Sequence, residues 1–237
     1  MTDTLQRIKN TDWQDITEKM HQKGYAVISN LLSDDECEML KSGYNYSGLY
    51  RKTVVMARHR FGSGEYKYYD YPLPDLIQTL RTHIYTHLAP IANSWFKALH
   101  IGTEFPPEHE TFLKQCHNNG QKKATALILK YETGGFNTLH QDLYGDIYFP
   151  IQMVLFLSEP EKDFTGGEFV ITQHIPRAQS KAIVLQPKKG DILIFTTNFK
   201  PEKGVKGYYR VNMKHGVSEL KEGCRYTLGI IFHDAIN

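Results

Sequence analysis

This sequence has little from which to build a covalent framework. Its three cysteines, Cys37, Cys116 and Cys224, are spread over 237 residues. An odd number at wide spacing excludes a disulfide scaffold and a Cys-x-x-Cys zinc site. Reduced thiols are expected, and any metal must be held by histidine and carboxylate. Long apolar runs are also missing. None reaches membrane-spanning length, and the opening Met1-Thr2-Asp3-Thr4 lacks the charged-then-apolar layout of a signal peptide. The expectation is a cytoplasmic protein with no membrane partner. A strong charge of either sign is absent too. The net charge of +2 does not by itself imply a polyanion partner. What remains is ordinary globular composition, 41% hydrophobic and 12% aromatic, in a chain long enough for one large domain.

The character of the chain changes near residue 120. Before it, helical signals dominate. Asp12 to Lys23 reads as a helix stopped by Gly24. Ser33-Asp34-Asp35-Glu36 is a capping box opening a short helix to Lys41. Pro74 to Leu99 has helical spacing, with Pro90 expected to divide it, and Pro106-Pro107 opens a further helix toward Cys116. Tyr25 to Ile28 is a strand. After residue 120 the pattern turns to β. Ala124 to Tyr131, Pro150 to Leu157, Glu168 to Thr172, Ala182 to Leu185, Asp191 to Thr196, Tyr208 to Val217 and Arg225 to Phe232 are short runs divided by Gly, Pro and Lys-rich turns. Such runs suit a sandwich or jelly roll better than a βαβ fold. The expectation is a mainly β protein with α. One domain spans 1–237, with a helical and lid region over 1–120 packed against a jelly-roll core over 121–237.

His140-Gln141-Asp142 is the first chemical signal. In extended chain, residues two apart point to the same side; on a helix they lie about 200° apart and cannot share a metal. Alone the pair is a weak signal. One imidazole and one carboxylate suit ferrous iron, and a second histidine would complete a facial triad with open positions. His174, His215 and His233 lie downstream. His174 sits beside Pro176 in a turn, and His233 lies at the end of the last strand. His215 is inside a β run, and ten residues later comes Arg225. Arg225 and Thr227 share a strand face. A guanidinium grips a carboxylate by two parallel hydrogen bonds, and a threonine hydroxyl adds a third. A dicarboxylate that chelates iron at one end needs such an anchor at the other.

These residues resemble the 2-oxoglutarate/Fe(II) oxygenase superfamily with its double-stranded β-helix core. The matching segments are Tyr131-Glu132-Thr133-Gly134-Gly135, His140-x-Asp142, Thr165-Gly166-Gly167-Glu168-Phe169, Lys189-Gly190-Asp191, His215-Gly216-Val217 and Arg225-x-Thr227. The resemblance implies Fe(II), 2-oxoglutarate and dioxygen as cofactor and cosubstrates, with hydroxylation or oxidative demethylation and release of succinate and carbon dioxide. It implies iron at His140, Asp142 and His215, and 2-oxoglutarate at Arg225, Thr227 and Tyr131. More closely, the run from His140 to Phe232-His233-Asp234, and Val54 to Pro74 before it, is similar to a bacterial family of such oxygenases labelled as acting on damaged DNA, in the manner of AlkB-like repair enzymes.

Tyr44 to Tyr71 is the other unusual stretch. It holds seven tyrosines interleaved with Arg51, Lys52, Arg58, His59, Arg60 and Lys67, for a net +3. Basic groups with stacking aromatics suit a single strand or a flipped base. Gly62-x-Gly64 would allow a lid to move. Arg58, Arg60, Tyr68 and Asp146 are therefore candidate substrate contacts. Against this, tyrosines pack well in half-buried strands and exposed cations are usually only solvated. Nucleic acid, a protein or peptide side chain and a small metabolite all stay open. So does a non-catalytic, cupin-like binding module. A zinc hydrolase built on His83 and His87, one helical turn apart, lacks a third ligand and a following glutamate.

Overall fold

Local capping sets the N-terminal boundaries. The computed structural model describes residues 2–237, which begin with α1 (Thr2–Asn10) and α2 (Trp13–Lys23). The Asp12 carboxylate accepts from the Asp15 amide to start α2, and Gly24, at φ 77°, ends it. β1 (Tyr25–Ile28) follows. Ser33 and Glu36 then cap α3 (Asp34–Ser42) reciprocally, satisfying two amides that a bare helix start leaves unpaired.

The region before residue 120 is less helical than its sequence suggests. It supplies β2 (Tyr50–Val55), β3 (Gly62–Ser63) and β4 (Glu65–Tyr69) before the long α4 (Asp75–Ala98) and α5 (His109–Asn118). Tyr-rich strands with basic residues lack a clean apolar alternation, which is why pattern alone did not reveal them. The expected division at Pro90 is absent. Pro90 and Thr86, whose carbonyl loses its partner, are both exposed. A mid-helix proline costs about 3 kcal/mol. Burial of Ile77, Leu80, Ile84, Leu88 and Trp95 on the opposite side, at roughly 1.5–3 kcal/mol for each large apolar side chain, outweighs that cost. Pro106-Pro107 precede α5 without joining it.

The remainder is β5 (Leu127–Glu132), β6 (Phe136–His140), β7 (Ile151–Phe156), β8 (Phe164–Gly166), β9 (Phe169–His174), β10 (Lys181–Leu185), β11 (Ile192–Thr196), β12 (Phe199–Gly204), β13 (Gly207–Val217) and β14 (Leu220–Ile230). The larger sheet runs β1-β11-β7-β14-β5-β4-β2, with β8 added on β14. The smaller runs β10-β9-β13-β6-β3, with β12 added on β13. Every pairing between these strands is antiparallel, and two such sheets face to face make a jelly roll. Strand alternation divides the larger sheet into two working faces. Met153, Leu155, Leu228 and Ile230 join the helices in one core. Arg225, Thr227 and Gly229 of β14, with Gln152 and Val154 of β7 and Leu129 and Tyr131 of β5, point the other way and line a cavity between the sheets.

One buried ion pair ties α4 to the C-terminal segment. Arg81 donates from Nη2 to Asp234 at 2.8 Å, both side chains being fully buried, and also donates to the Ile231 and Phe232 carbonyls and to the Tyr71 hydroxyl. Arg81→Met leaves a buried carboxylate without its cation. Urea unfolding of this variant is expected to show a loss of about 3–5 kcal/mol. A loss under 1 kcal/mol would mean the pair is dispensable.

Candidate metal centre

The cross-strand register brings the ligand set together. His215 on β13 lies directly opposite His140 on β6, so both imidazoles leave the same sheet face, their ring centroids 4.2 Å apart. β6 ends at His140, and Asp142 follows two residues later in non-strand chain. His140 Nε2 lies 3.5 Å from Asp142 Oδ1, and His215 Nε2 lies 3.3 Å from Oδ2. Among the described residues these three form the one group of histidine, cysteine and carboxylate ligands close enough to hold a metal, with ligand atoms within 4.8 Å of one another. Metal–nitrogen and metal–oxygen bonds of about 2.0–2.2 Å place adjacent ligands about 3 Å apart, so the spacing fits one small cation. Two imidazoles and one carboxylate are the donor set of non-haem iron with open positions.

Neighbouring groups aim these ligands. His140 Nδ1 sits 2.8 Å from the Thr138 carbonyl. A carbonyl only accepts, so Nδ1 carries the proton and Nε2 presents its lone pair. Both Asp142 oxygens are held. Tyr144 donates to Oδ1 at 2.9 Å, and Gln152 Nε2 to Oδ2 at 2.8 Å. Burial pushes the Asp142 carboxyl up, but the hydrogen bond and charge of His215, the charge of His140 and the Gln152 amide together hold it well below the usual carboxylate range. Burial, then the neighbouring His140 charge, lowers His215. A carboxylate ionised at any ordinary pH and a neutral imidazole are the ligand states a divalent cation needs. Gln141, between the two β6-side ligands, turns away and donates to the carbonyls of Asn198 and Met213, which fixes the chain on either side.

At the other end of the cavity stands a cation without an anion. Arg225 is 1% exposed, and its Nε and Nη1 have no acceptor. Aromatic rings surround it: the guanidinium carbon lies 5.7 Å from the centroid of Tyr131, 5.4 Å from Phe156 and 5.8 Å from Phe164. Burial lowers its pKa to about 10, so it is still protonated at neutral pH. Among the described residues no carboxylate forms a salt bridge to it. Glu168, whose charge it feels, is hydrogen-bonded to Ser218. A buried, unpaired guanidinium costs several kcal/mol. A carboxylate entering the cavity would relieve that cost. Tyr131 lies opposite Arg225 in the β5–β14 register, and its hydroxyl is also buried without a partner. Thr227 is on the same face of β14. Gly167, at φ +61°, allows close approach: a Cβ there would lie 3.2 Å from Arg225 Cδ and 2.2 Å from Leu220 Cδ1.

The cavity, of about 210 Å³, joins the two ends. His140, Asp142, His215, Arg225, Thr227 and Tyr131 all line it or border it. Other candidates from the sequence lie elsewhere. Arg58, Arg60 and Asp146 are exposed and do not line it. Tyr68 is buried and does not line it, meeting the lining residues Tyr144, hydroxyl to hydroxyl at 3.4 Å, and Tyr66, ring edge to face at 5.4 Å. Most of the tyrosine run is packing: Tyr44, Tyr50 and Tyr69 interlock around Lys67 and Tyr226. Gly62, expected with Gly64 to let a lid move, is paired with Asn137, and Ser63 between them with Phe136. His174 is exposed and His233 is buried behind Phe149. His83 is exposed, while His87 stacks on Trp13 at 4.0 Å. Two residues that touch Asp142 escaped sequence reasoning. Gln152 had a signal, being the one polar residue in the buried run Ile151–Phe156. Tyr144, in a loop, had none.

Comparison with known proteins agrees with this geometry. Residues 64–235, well over half the chain, match a family described as oxygenases catalysing oxidative methylation of damaged DNA. Uncharacterized proteins of two strains of Mycobacterium tuberculosis, CDC 1551 / Oshkosh and ATCC 25618 / H37Rv, are each 43% identical over 164 residues, which is 69% of this chain and 70% of theirs. A prolyl-4-hydroxylase of Pseudomonas putida superposes with a TM-score of 0.53 at 13% identity, over 92% of this chain and 96% of that one. An oxidoreductase of the 2OG-Fe(II) oxygenase family from Burkholderia pseudomallei gives 0.54 at 12% identity, over 96% and 94%. At such identities these two structures speak for the fold.

Proposed function

Because the chain belongs to the family of oxygenases described as catalysing oxidative methylation of damaged DNA, and is a 2-oxoglutarate-dependent dioxygenase that uses Fe(II) and dioxygen, we propose that it oxidises an alkylated base in nucleic acid. His140 Nε2, an Asp142 oxygen and His215 Nε2 would hold the iron. Arg225 would pair with the distal carboxylate of 2-oxoglutarate, with the hydroxyls of Thr227 and Tyr131 beside it. When bound, iron with 2-oxoglutarate supplies the oxidising chemistry, coupling loss of carbon dioxide and formation of succinate to insertion of one oxygen atom into a substrate C–H bond. On an N-methyl group the product is a hemiaminal, which sheds formaldehyde.

The protein's part is position and shielding. Gln152 and Tyr144 hold the Asp142 carboxylate in one orientation. Met56, Leu129, Val154 and Val217 give the cavity an apolar wall that displaces water. The observation that carries the nucleic-acid reading is the rim. Phe61, Tyr66 and Tyr144 line both the cavity and a neighbouring groove, so a planar base entering there meets aromatic faces. Arg58 and Arg60, on the same N-terminal segment, are exposed and free of salt bridges among the described residues, as backbone-contacting cations would be.

We also read 1–237 as one catalytic unit. β1 pairs with β11, and β4 with β5, so N-terminal strands complete the sheet that carries Arg225. No helix among the described residues is long and apolar enough to cross a membrane. The test is succinate release over a panel of N-methylated single-stranded oligonucleotides, proline-containing peptides and small metabolites. Turnover is expected with the oligonucleotides, accompanied by formaldehyde. Stimulation by peptides or metabolites alone would replace the substrate while leaving the cosubstrate assignment intact.

A further inference from the structure

We propose that the groove beside the cavity, walled by Arg51, Lys52 and His59, is a phosphodiester subsite that holds the backbone of the strand whose base faces the metal centre. The proposal rests on the nucleic-acid reading above and names where the charge of that substrate is met.

The groove encloses about 250 Å³ and shares Phe61, Tyr66 and Tyr144 with the cavity. A base in the cavity therefore has its own sugar-phosphate in or next to the groove. Arg51 is fixed there, not waving in solvent. Its Nε donates to the Ala124 carbonyl at 2.9 Å, and its guanidinium carbon lies 4.6 Å from the centre of the Tyr68 ring. Those contacts leave Nη2 without an acceptor although the atom is enclosed. A held guanidinium with a spare donor is an anion receptor whose ordering cost is already met.

A bulge brings a second cation to the same place. In the β2–β4 pairing Tyr50 faces Tyr69 and Lys52 faces Tyr68, so Arg51 is an extra residue in the ladder. In a regular strand Arg51 and Lys52 would point to opposite faces. A bulge re-aims one of the two, and here both line the groove.

Arg51 and Lys52 form no salt bridge among the described residues. Glu65, on the paired strand, is engaged with Tyr44 and Lys67, and Asp234, beside the groove-lining Ala235, with Arg81 and His117. Lys123, exposed, is bridged through its backbone to Ala235, which lines the groove. An anion with several acceptor oxygens, one aromatic residue away from the base, is what this arrangement fits. A phosphodiester meets each requirement.

The test is anisotropy of a short single-stranded oligonucleotide carrying one N-methylated base, bound to the enzyme loaded anaerobically with Fe(II) and 2-oxoglutarate, across a salt series. Arg51→Gln and Lys52→Gln are each expected to weaken binding about tenfold. The slope of log affinity against log salt should fall by about 0.7 per lost contact. Lys52 is exposed, so K52Q reads the subsite even where R51Q disturbs the strand. A neutral methylphosphonate placed beside the methylated base should weaken binding to wild type and have little further effect on the variants. Wild-type binding with an unchanged slope in both variants would overturn the subsite and leave the nucleic-acid reading standing. Absence of salt-sensitive binding by wild type would overturn both. Displacement of the oligonucleotide by a glutamate-rich peptide of equal charge, at equal concentration, would overturn the phosphodiester assignment.

Discussion

Replacing Asp142 by alanine is expected to stop 2-oxoglutarate turnover, with succinate release falling at least about a thousandfold. Loss of a group that only orients a metal ligand costs about 10–100-fold, and removal of a ligand costs more. The geometry explains why Asp142 has no substitute. It faces both imidazoles at 3.5 and 3.3 Å, and among the described residues no further carboxylate joins that group. Alanine also leaves the Tyr144 hydroxyl and Gln152 amide without their acceptor, at about 1–3 kcal/mol for each group left unsatisfied. Asp142→Asn keeps the shape and separates the two effects. It should melt close to wild type yet lack the weak visible band that anaerobic Fe(II) and 2-oxoglutarate are expected to give. Full turnover by either variant would remove Asp142 from the ligand set.

Arg225→Leu is expected to raise the KM for 2-oxoglutarate by roughly 30-fold to several thousandfold. Truncating one side of a buried, hydrogen-bonded charge pair costs about 2–5 kcal/mol. The same change should not weaken the fold. The protein holds this guanidinium among three rings with two donors unmet, so an apolar side chain removes a buried, unpaired charge, and R225L is expected to be neutral or stabilising by about 1–4 kcal/mol. Thermal melts give the decisive pair of readings. 2-Oxoglutarate should raise the Tm of wild type and leave that of R225L unmoved. The pH dependence has a definite sign. Burial holds Arg225 down to about 10, so the anchor is fully charged through neutral pH and 2-oxoglutarate binding declines only as pH rises toward that value. Unimpaired 2-oxoglutarate binding by R225L would place the carboxylate elsewhere.

Much of the site was legible in the sequence because its signals are local. The two-residue spacing of His140 and Asp142 needs non-helical chain, and the chain there is non-helical. Arg225 and Thr227 share a face because any strand makes residues two apart do so. The Ser33–Glu36 box and the Gly24 stop need only near neighbours, and both stand where the sequence puts them. The tyrosine run misled for the opposite reason. Whether a tyrosine stacks on a ligand or packs in a core depends on what covers it, and Tyr44 and Tyr69, only 3% and 1% exposed, are covered by their own sheet and its helices.

By itself, then, the sequence pointed to the residue types of a candidate iron site, to the strand face that Arg225 and Thr227 share and to a candidate anchor for a carboxylate. The tertiary structure decided three other things. It set His215, the histidine the sequence favoured, directly opposite His140 through the pairing of β13 with β6. It brought Gln152 and Tyr144, ten and two residues beyond Asp142, onto its two oxygens. It set Arg51 in the groove, where a bulge and a stacked ring, not proximity in sequence, hold that cation, and left Arg58 and Arg60 exposed outside it. Spacing along a strand is set by backbone geometry within a few residues. Register between strands, and the burial that leaves a donor without a partner, are set by segments tens to more than a hundred residues apart, and they exist only once the sheets have closed.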